Sequence, residues 1–218
     1  MQGAIFDLDG TLLDSNGVWK QVDDVFLARH HLTKDAEYTR AVTQMEYSAS
    51  AVFVVEKYHL DMSPQEIMAE WEALSLEAYA QQIPMKEGAR EVLTALAEAQ
   101  VPLALVTLSP AVLYEAALKR HGVLDLFQLK MTVPKAHEQG KDRFLYDAVC
   151  RELAIPADAC IGFDDDLSAL EAMRASGMTA YALQDMRNDD MKDLYSAAGF
   201  PQYSWADIQG IILSDKIY

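Results

Sequence analysis

Two acidic residues near the start of the chain, Asp7 and Asp9, are separated by one residue and followed directly by Gly10 and Thr11. Two neighbouring carboxylates can divide the work of a group transfer. One attacks an electrophilic centre such as phosphorus, while the other donates a proton to the leaving oxygen and later activates water. Gly10 allows a tight turn whose backbone amides face an anion. The alternative is an ordinary acidic pair on a capped turn.

Two hydroxyl residues, Thr107 and Ser109, follow the second apolar strand pattern of the chain. A hydroxyl and nearby backbone amides in such a place can bind phosphate oxygens. Ser109 is also followed by Pro110, which is the pattern of a helix N-cap with proline at the first helical position. Capping and anion binding can coexist, so both functions stay open for these two residues.

Lys141 follows Gly140 just before a predicted helix. Its ammonium group could neutralise a nucleophilic carboxylate and a bound phosphate together. The alternative is a solvated charge on the protein surface.

Three adjacent acids, Asp164, Asp165 and Asp166, follow an apolar run at residues 160–163. Carboxylates this close together at a buried strand end repel one another unless a cation lies among them. Ligands that offer only oxygen favour magnesium over zinc. The alternative is a helix N-terminus enriched in acids, which is the role we expect for Asp166 in any case.

Apolar strand patterns alternate with helical patterns along most of the chain. This alternation predicts an α/β fold with a doubly wound parallel sheet. Ligands of such sheets bind outside the carboxyl ends of the strands. The polar clusters at 7–11, 107–109 and 164–166 all follow predicted strands, so we expect them to converge on one crevice. The predicted strands span residues 3–8, 102–107, 127–133, 160–163 and 178–183.

Residues 18–82 have helical spacing of apolar and aromatic residues and no strand alternation. This stretch interrupts the α/β pattern directly after the first strand and its turn. We therefore predict an α/β core of residues 1–16 and 84–218 and an inserted all-helical cap of residues 17–83. Trp71 has the spacing of a residue in the cap's own core.

The composition limits the classes of partner. The chain has 218 residues, of which 51% are hydrophobic, and a formal net charge of -16. That charge opposes nucleic acids and anionic membrane surfaces, and no segment has the roughly 20 apolar residues of a membrane span. Only two cysteines and no export signal predict a reducing cytoplasm. Nothing indicates an obligate protein partner. A phosphate site in this field needs its own positive charge.

Four segments carry a resemblance to a known family. Residues 6–15, FDLDGTLLDS, closely resemble the first signature of the haloacid dehalogenase superfamily. Residues 106–109 are similar to the second signature, residues 140–141 to the third, and residues 162–165 to the fourth in its paired-acid form. The resemblance extends over the whole chain and implies a Rossmann-like core with a helical cap, as in the β-phosphoglucomutase-like phosphatases.

The resemblance implies a function and a set of roles. The expected protein is a phosphatase that uses Mg²⁺ and an aspartyl-phosphate to hydrolyse a small phosphorylated metabolite. Asp7 would be the nucleophile, and Asp9 the general acid and base that also offers its carbonyl to the metal. The phosphate-binding residues would be Thr107, Ser109 and Lys141, and the metal ligands Asp7, Asp9, Asp164 and Asp165.

Several positions depart from the family pattern. Lys141 is followed by Asp142 where the signature usually continues with proline, and Leu108 replaces a small polar residue. Residues 44–48 lack the Gly and Arg expected in members that grip phosphosugars, which disfavours a mutase. Asp9 argues against dehalogenation, because halide needs no protonated leaving oxygen. Two alternatives stay open: a phosphomutase of the β-phosphoglucomutase type, and a catalytically silent relative that acts as a binding module.

Overall fold

The structure, a computed structural model, describes residues 1–45, 47–133 and 140–214. Glu46, part of the cap segment discussed above, lies outside these ranges. The chain divides into two compact units, one formed by Met1–Asn16 with Ile83–Tyr218 and the other by Gly17–Gln82. The assignment of these units as catalytic core and cap stays a prediction.

The first unit contains a six-stranded sheet in the order β3-β2-β1-β4-β5-β6, and every neighbouring pair is parallel. The predicted doubly wound α/β fold is thus confirmed. The last strand was not predicted, because two residues are too short to form a pattern. The strands are β1 Gly3–Phe6, β2 Leu103–Thr107, β3 Phe127–Thr132, β4 Cys160–Asp164, β5 Thr179–Leu183 and β6 Gln202–Tyr203.

Both units contain helices. Among the described residues, none of them is long and apolar enough to cross a membrane. Short 3-10 turns cover Leu124–Leu126, Ala157–Ala159 and Met186–Met191. The α-helices are α1 Val18–Arg29, α2 Ala36–Gln44, α3 Tyr47–Tyr58, α4 Pro64–Gln81, α5 Ala89–Glu98, α6 Ala111–Arg120, α7 Arg143–Glu152, α8 Leu167–Ala175, α9 Lys192–Ala197 and α10 Trp205–Ser214.

The strand order reverses at β1. The chain builds outward from β1 through β2 to β3, and then returns to place β4 on the other side of β1. Connections therefore leave β1 and β4 in opposite directions, which opens a crevice at their carboxyl ends. The acidic turns after β1 and β4 both lie at this edge.

Close packing fixes the central strands. β1, β2 and β4 are buried along their whole length, which explains their continuous apolar sequences. The rings of Phe6 and Phe163 stack across β1 and β4 with centroids 4.9 Å apart, and the ring of Trp205 lies 5.2 Å from that of Phe163. A Cβ atom at Gly162 would lie 2.3 Å from the sulfur of Met173 on α8, so a larger residue at this position would require the Met173 side chain to shift.

The second unit is formed by α1 to α4, and no strand occurs among its described residues. Trp71 is buried in its core against Phe26, as its spacing predicts. The longest helix, α4, begins with a capping box between Ser63 and Glu66, which satisfies backbone amides at its N-terminus.

One buried carboxylate in the first unit, Asp185, binds the two segments where the chain leaves that unit and returns to it. The Asp185 side chain is fully buried and accepts hydrogen bonds from Asn16 Nδ2 at 2.8 Å and Lys86 Nζ at 2.9 Å. The two segments also pair with each other, through Asp14 N to Pro84 O at 3.0 Å. These residues line a cavity of about 390 Å³ in the first unit.

We predict that replacing Asp185 with Ala lowers the free energy of unfolding by about 3 kcal/mol, because Lys86 would keep a largely buried charge without its partner. Urea unfolding measures the change. The matched control is Asp189→Ala, which removes an exposed carboxylate 3.2 Å from Lys192 and should change stability by no more than about 0.5 kcal/mol. Equal stability of Asp185→Ala and the wild type would contradict the anchoring role.

Candidate active site

The predicted site residues gather at the carboxyl edge of the sheet. Asp7 directly follows β1, and Thr107 and Asp164 are the last residues of β2 and β4. Lys141 lies two residues before α7. The backbone amide of Asp7 donates to Phe163 O at 2.9 Å, so the two acidic turns start from a fixed pair of strands.

The turn after β1 is tightly folded. Gly10 has a φ of 89°, a left-handed conformation that favours glycine, and its amide donates to Leu13 O at 3.0 Å. Thr11 Oγ1 donates to Asp165 Oδ1 at 3.0 Å, which connects the turn to the residue that follows β4. From the other side, Trp205 Nε1 donates to Thr11 O at 2.9 Å. The turn is therefore held by both the sheet and α10.

Lys141 lies between two carboxylates. Its Nζ donates to Asp7 Oδ1 at 2.5 Å and to Asp164 Oδ2 at 2.7 Å, and its side chain is only 8% exposed. The alternative of a solvated surface charge is therefore wrong. Burial alone would lower the pKa of Lys141, but the negative Asp164 and Asp7 hold it well above its ordinary value. Lys141 is thus a charged group in a buried position.

The unusual Asp142 has a structural explanation. It is the N-cap of α7, and its Oδ1 accepts a hydrogen bond from the backbone amide of Leu145 at 2.8 Å. The carboxylate thus bonds the helix N-terminus, where a negative charge is favourable.

Asp7, Asp164 and Asp165 form a buried group whose nearest carboxylate oxygens all lie within 4.8 Å of one another. Burial raises the pKa of Asp7 well above its ordinary value; Lys141 opposes this, and the negative Asp164 and Asp165 add to it. One lysine thus does not balance the acids. The donors are all hard oxygens, which fits a bound Mg²⁺.

The second acidic turn is held by contacts to its backbone. Asp166 caps α8 by accepting from Ala169 N at 3.0 Å, which confirms its expected helix-terminal role. The carbonyl of Asp165 accepts from Asn188 Nδ2 at 2.7 Å and from the Tyr195 hydroxyl at 2.6 Å. Sequence analysis missed Asn188 and Tyr195, because no local pattern relates them to a carbonyl more than 20 residues away.

Thr107 and Ser109 contact each other, and Ser109 also contacts Asp9. The Thr107 hydroxyl is buried and accepts from the Ser109 amide at 3.0 Å. The Ser109 hydroxyl donates to Asp9 Oδ2 at 2.5 Å. The expectation that Ser109 caps the following helix was wrong: the N-cap of α6 is Pro110, without a side-chain cap, because the hydroxyl is directed to Asp9.

Sequence analysis also missed Tyr146 on α7. Its side chain is fully buried, and its hydroxyl has no hydrogen-bond partner in the part of the chain that the structure describes. Burial, with a further contribution from the negative Asp164, raises the pKa of Tyr146 well above its ordinary value. Its spacing with Val149 and Cys150 is that of any apolar helix face, so the sequence carries no signal for this neighbour of the site.

Comparison with known proteins finds named phosphatases among the relatives of this chain. The chain is 27% identical over 180 residues to validoxylamine A 7'-phosphate phosphatase of Streptomyces hygroscopicus subsp. limoneus, covering 83% of this chain and 84% of that protein. It is 25% identical over 183 residues to a fructose-1-phosphate phosphatase of Escherichia coli, covering 82% and 94%. Both relatives are named as phosphatases of small phosphorylated molecules.

Solved structures agree on the fold. A Thermotoga maritima protein described as a β-phosphoglucomutase superposes with a TM-score of 0.83 at 19% identity, covering 99% of this chain and 100% of that chain. The model of the haloacid dehalogenase-like hydrolases matches residues 1–177, which include Asp7, Lys141 and Asp165. The chain therefore belongs to the haloacid dehalogenase-like hydrolase family.

Proposed function

We propose that this protein is a magnesium-dependent phosphatase that hydrolyses a small phosphorylated metabolite through an aspartyl-phosphate on Asp7. The observation that carries the proposal is the buried Lys141, which bonds Asp7 and Asp164 at the carboxyl edge of the sheet. The phosphatase names of the relatives give the same reaction class. A cytoplasmic location is part of the proposal, and the free thiols of Cys150 and Cys160 are consistent with it.

The first step is attack by a carboxylate oxygen of Asp7 on phosphorus. A new bond from Asp7 to phosphorus forms as the bond from phosphorus to the alcohol oxygen breaks, and Asp9 gives its proton to that oxygen. Thr107 and Lys141 would bind the phosphate oxygens. The products of this step are the free alcohol and a phosphorylated Asp7.

The second step returns the enzyme to its starting state. Asp9, now ionised, takes a proton from water as the water oxygen attacks phosphorus of the acyl phosphate. The bond from Asp7 to phosphorus breaks, inorganic phosphate leaves, and both acids regain their initial protonation states. A mutase would instead use a sugar hydroxyl as the acceptor.

The excess of carboxylates over positive groups at the site favours binding of a metal ion. Bound Mg²⁺ would supply positive charge to the phosphate and to the nucleophile. Asp7, Asp164 and Asp165 would hold it with side-chain oxygens, and Asp9 with its carbonyl. Lys141 contributes the protein's own positive charge at Asp7. In the transition state, Lys141 therefore stabilises charge that the acidic protein otherwise opposes.

We predict that Asp7→Asn lowers kcat for phosphate esters by roughly 10⁴-fold or more, because an amide cannot form the acyl phosphate. The measurement is magnesium-dependent phosphate release from an aryl phosphate and a panel of phosphorylated metabolites. Asp14→Asn is the matched control, since Asp14 lies in the same segment but is exposed and should keep its activity. Undiminished hydrolysis by Asp7→Asn would remove the nucleophile assignment.

Product analysis of the same reactions shows whether water or a sugar hydroxyl accepts the phosphoryl group. A phosphatase releases one inorganic phosphate for each alcohol formed, whereas a mutase returns phosphorylated sugar isomers. Metal binding without turnover of any ester would instead favour a catalytically silent binding module.

We predict that Mg²⁺ raises the thermal unfolding midpoint of the wild type, with a stabilisation of about 2.7 kcal/mol when its concentration is 100 times the dissociation constant. Asp165→Asn should lose most of this shift, because an amide is a weaker and uncharged ligand. Differential scanning fluorimetry measures it without substrate. Asp189→Asn, which changes an exposed acid, serves as the control. An equal shift in the Asp165 variant would place the metal elsewhere.

We predict that, without Mg²⁺ at neutral pH, Asp7→Asn has a higher unfolding midpoint than the wild type. The raised pKa of Asp7 means that its contribution to stability is present at acidic pH and is lost as the pH rises towards that pKa. The uncharged Asn avoids this loss. The difference between the two proteins should shrink at acidic pH, and a less stable variant at neutral pH would contradict the sign.

A further inference from the structure

Ser109 is fixed by hydrogen bonds at three of its atoms. Its amide donates to Thr107 Oγ1 at 3.0 Å, and its carbonyl accepts from Thr132 Oγ1 at 3.1 Å. Its hydroxyl donates to Asp9 Oδ2 at 2.5 Å. Thr107 and Thr132 are the last residues of the paired strands β2 and β3. The ends of two strands thus hold the serine that contacts the acid after β1.

A serine hydroxyl has one proton to donate. Because the Ser109 hydroxyl uses this proton in its hydrogen bond to Asp9, it cannot also donate a hydrogen bond to a phosphate oxygen. The expected role in phosphate binding would require the hydroxyl to break its contact with the carboxylate.

Asp9 needs a restraint of this kind. Its charge acts on Asp7, since it is one of the groups that raise the pKa of that residue, yet its side chain is not part of the buried group of Asp7, Asp164 and Asp165. A carboxylate that turned towards Lys141 and the metal would become a further metal ligand. It would then no longer face the leaving oxygen.

We infer that Ser109 is a positioning residue, which holds the Asp9 carboxylate apart from the metal ligands and towards the leaving oxygen of the substrate. The inference rests on the proposed function, because it assigns to Asp9 the proton transfer of that mechanism. Ser109 acts on the rate of the reaction through Asp9, and the phosphate is bound by other groups.

The first test is the kinetics of Ser109→Ala with an alkyl phosphate. We expect kcat to fall roughly 10-fold, because the acid is no longer held in place. The KM and the inhibition constant of inorganic phosphate should stay unchanged. The loss should be smaller with an aryl phosphate, whose leaving oxygen needs less protonation. Ser109→Thr, which keeps the hydroxyl, should restore kcat.

Two controls separate this role from a general loss of structure. Ser63→Ala removes the same type of contact, from a serine hydroxyl to a carboxylate at 2.8 Å, at the capping box of α4 and should leave kcat unchanged. In a double-mutant cycle with the aryl phosphate, Ser109→Ala should have no further effect in the Asp9→Asn background. Thermal unfolding confirms that each variant is folded.

The contrary outcomes are distinct. A raised KM and a weaker inhibition by inorganic phosphate, with kcat unchanged, would show that Ser109 binds phosphate and overturn the inference. Equal loss of kcat in the wild-type and Asp9→Asn backgrounds would also overturn it. These results leave the proposed function intact, whereas a wild type without any turnover contradicts the proposed function and this inference together.

Discussion

The site depends on one electrostatic constraint: among the residues that the structure describes, three carboxylates share a buried space with the ammonium group of Lys141. Lys141 bonds Asp7 and Asp164, and Asp165 lies beside them with its Oδ1 held by Thr11. Carboxylates this close repel one another, and burial removes the water that would screen them. The charged Lys141 offsets part of this repulsion, and a divalent cation bound by the remaining oxygens would offset more of it.

The topology of the sheet brings these groups together. Asp7, Thr107 and Asp164 are far apart in the chain, but each stands at the carboxyl end of a central strand. Parallel strands place such ends at one edge, and the reversal of strand order at β1 opens that edge to a ligand. The apolar core beneath, with Phe6 stacked on Phe163, fixes the register that sets the distance between the two acidic turns. The packing of the core thus sets the distances between the residues of the site.

Local sequence patterns predicted most of the strands but few of the tertiary contacts. The apolar runs of β1, β2 and β4 predict strands because buried parallel strands need nothing polar on either face. Asp7 with Asp9, and Asp164 with Asp165, are close neighbours in sequence, so each acidic pair is visible before folding, whereas the approach of the two pairs is not. The contact of Ser109 with Asp9 joins residues 100 positions apart, and a serine before proline has the ordinary pattern of a helix cap. Likewise, Asp185 follows a strand like many surface acids, and only the fold shows it buried against Lys86.

The acidic character of the whole chain increases the need for positive charge at the site. Asp7, Asp164 and Asp165 form a buried acidic group beside Lys141, within a protein of formal net charge -16. A phosphate ester is itself an anion, so the net negative charge of the protein opposes its approach within about a Debye length. The carboxylates that repel the substrate are the same groups that can bind the metal. In the proposed function, substrate binding would therefore depend on prior binding of the metal by these oxygens.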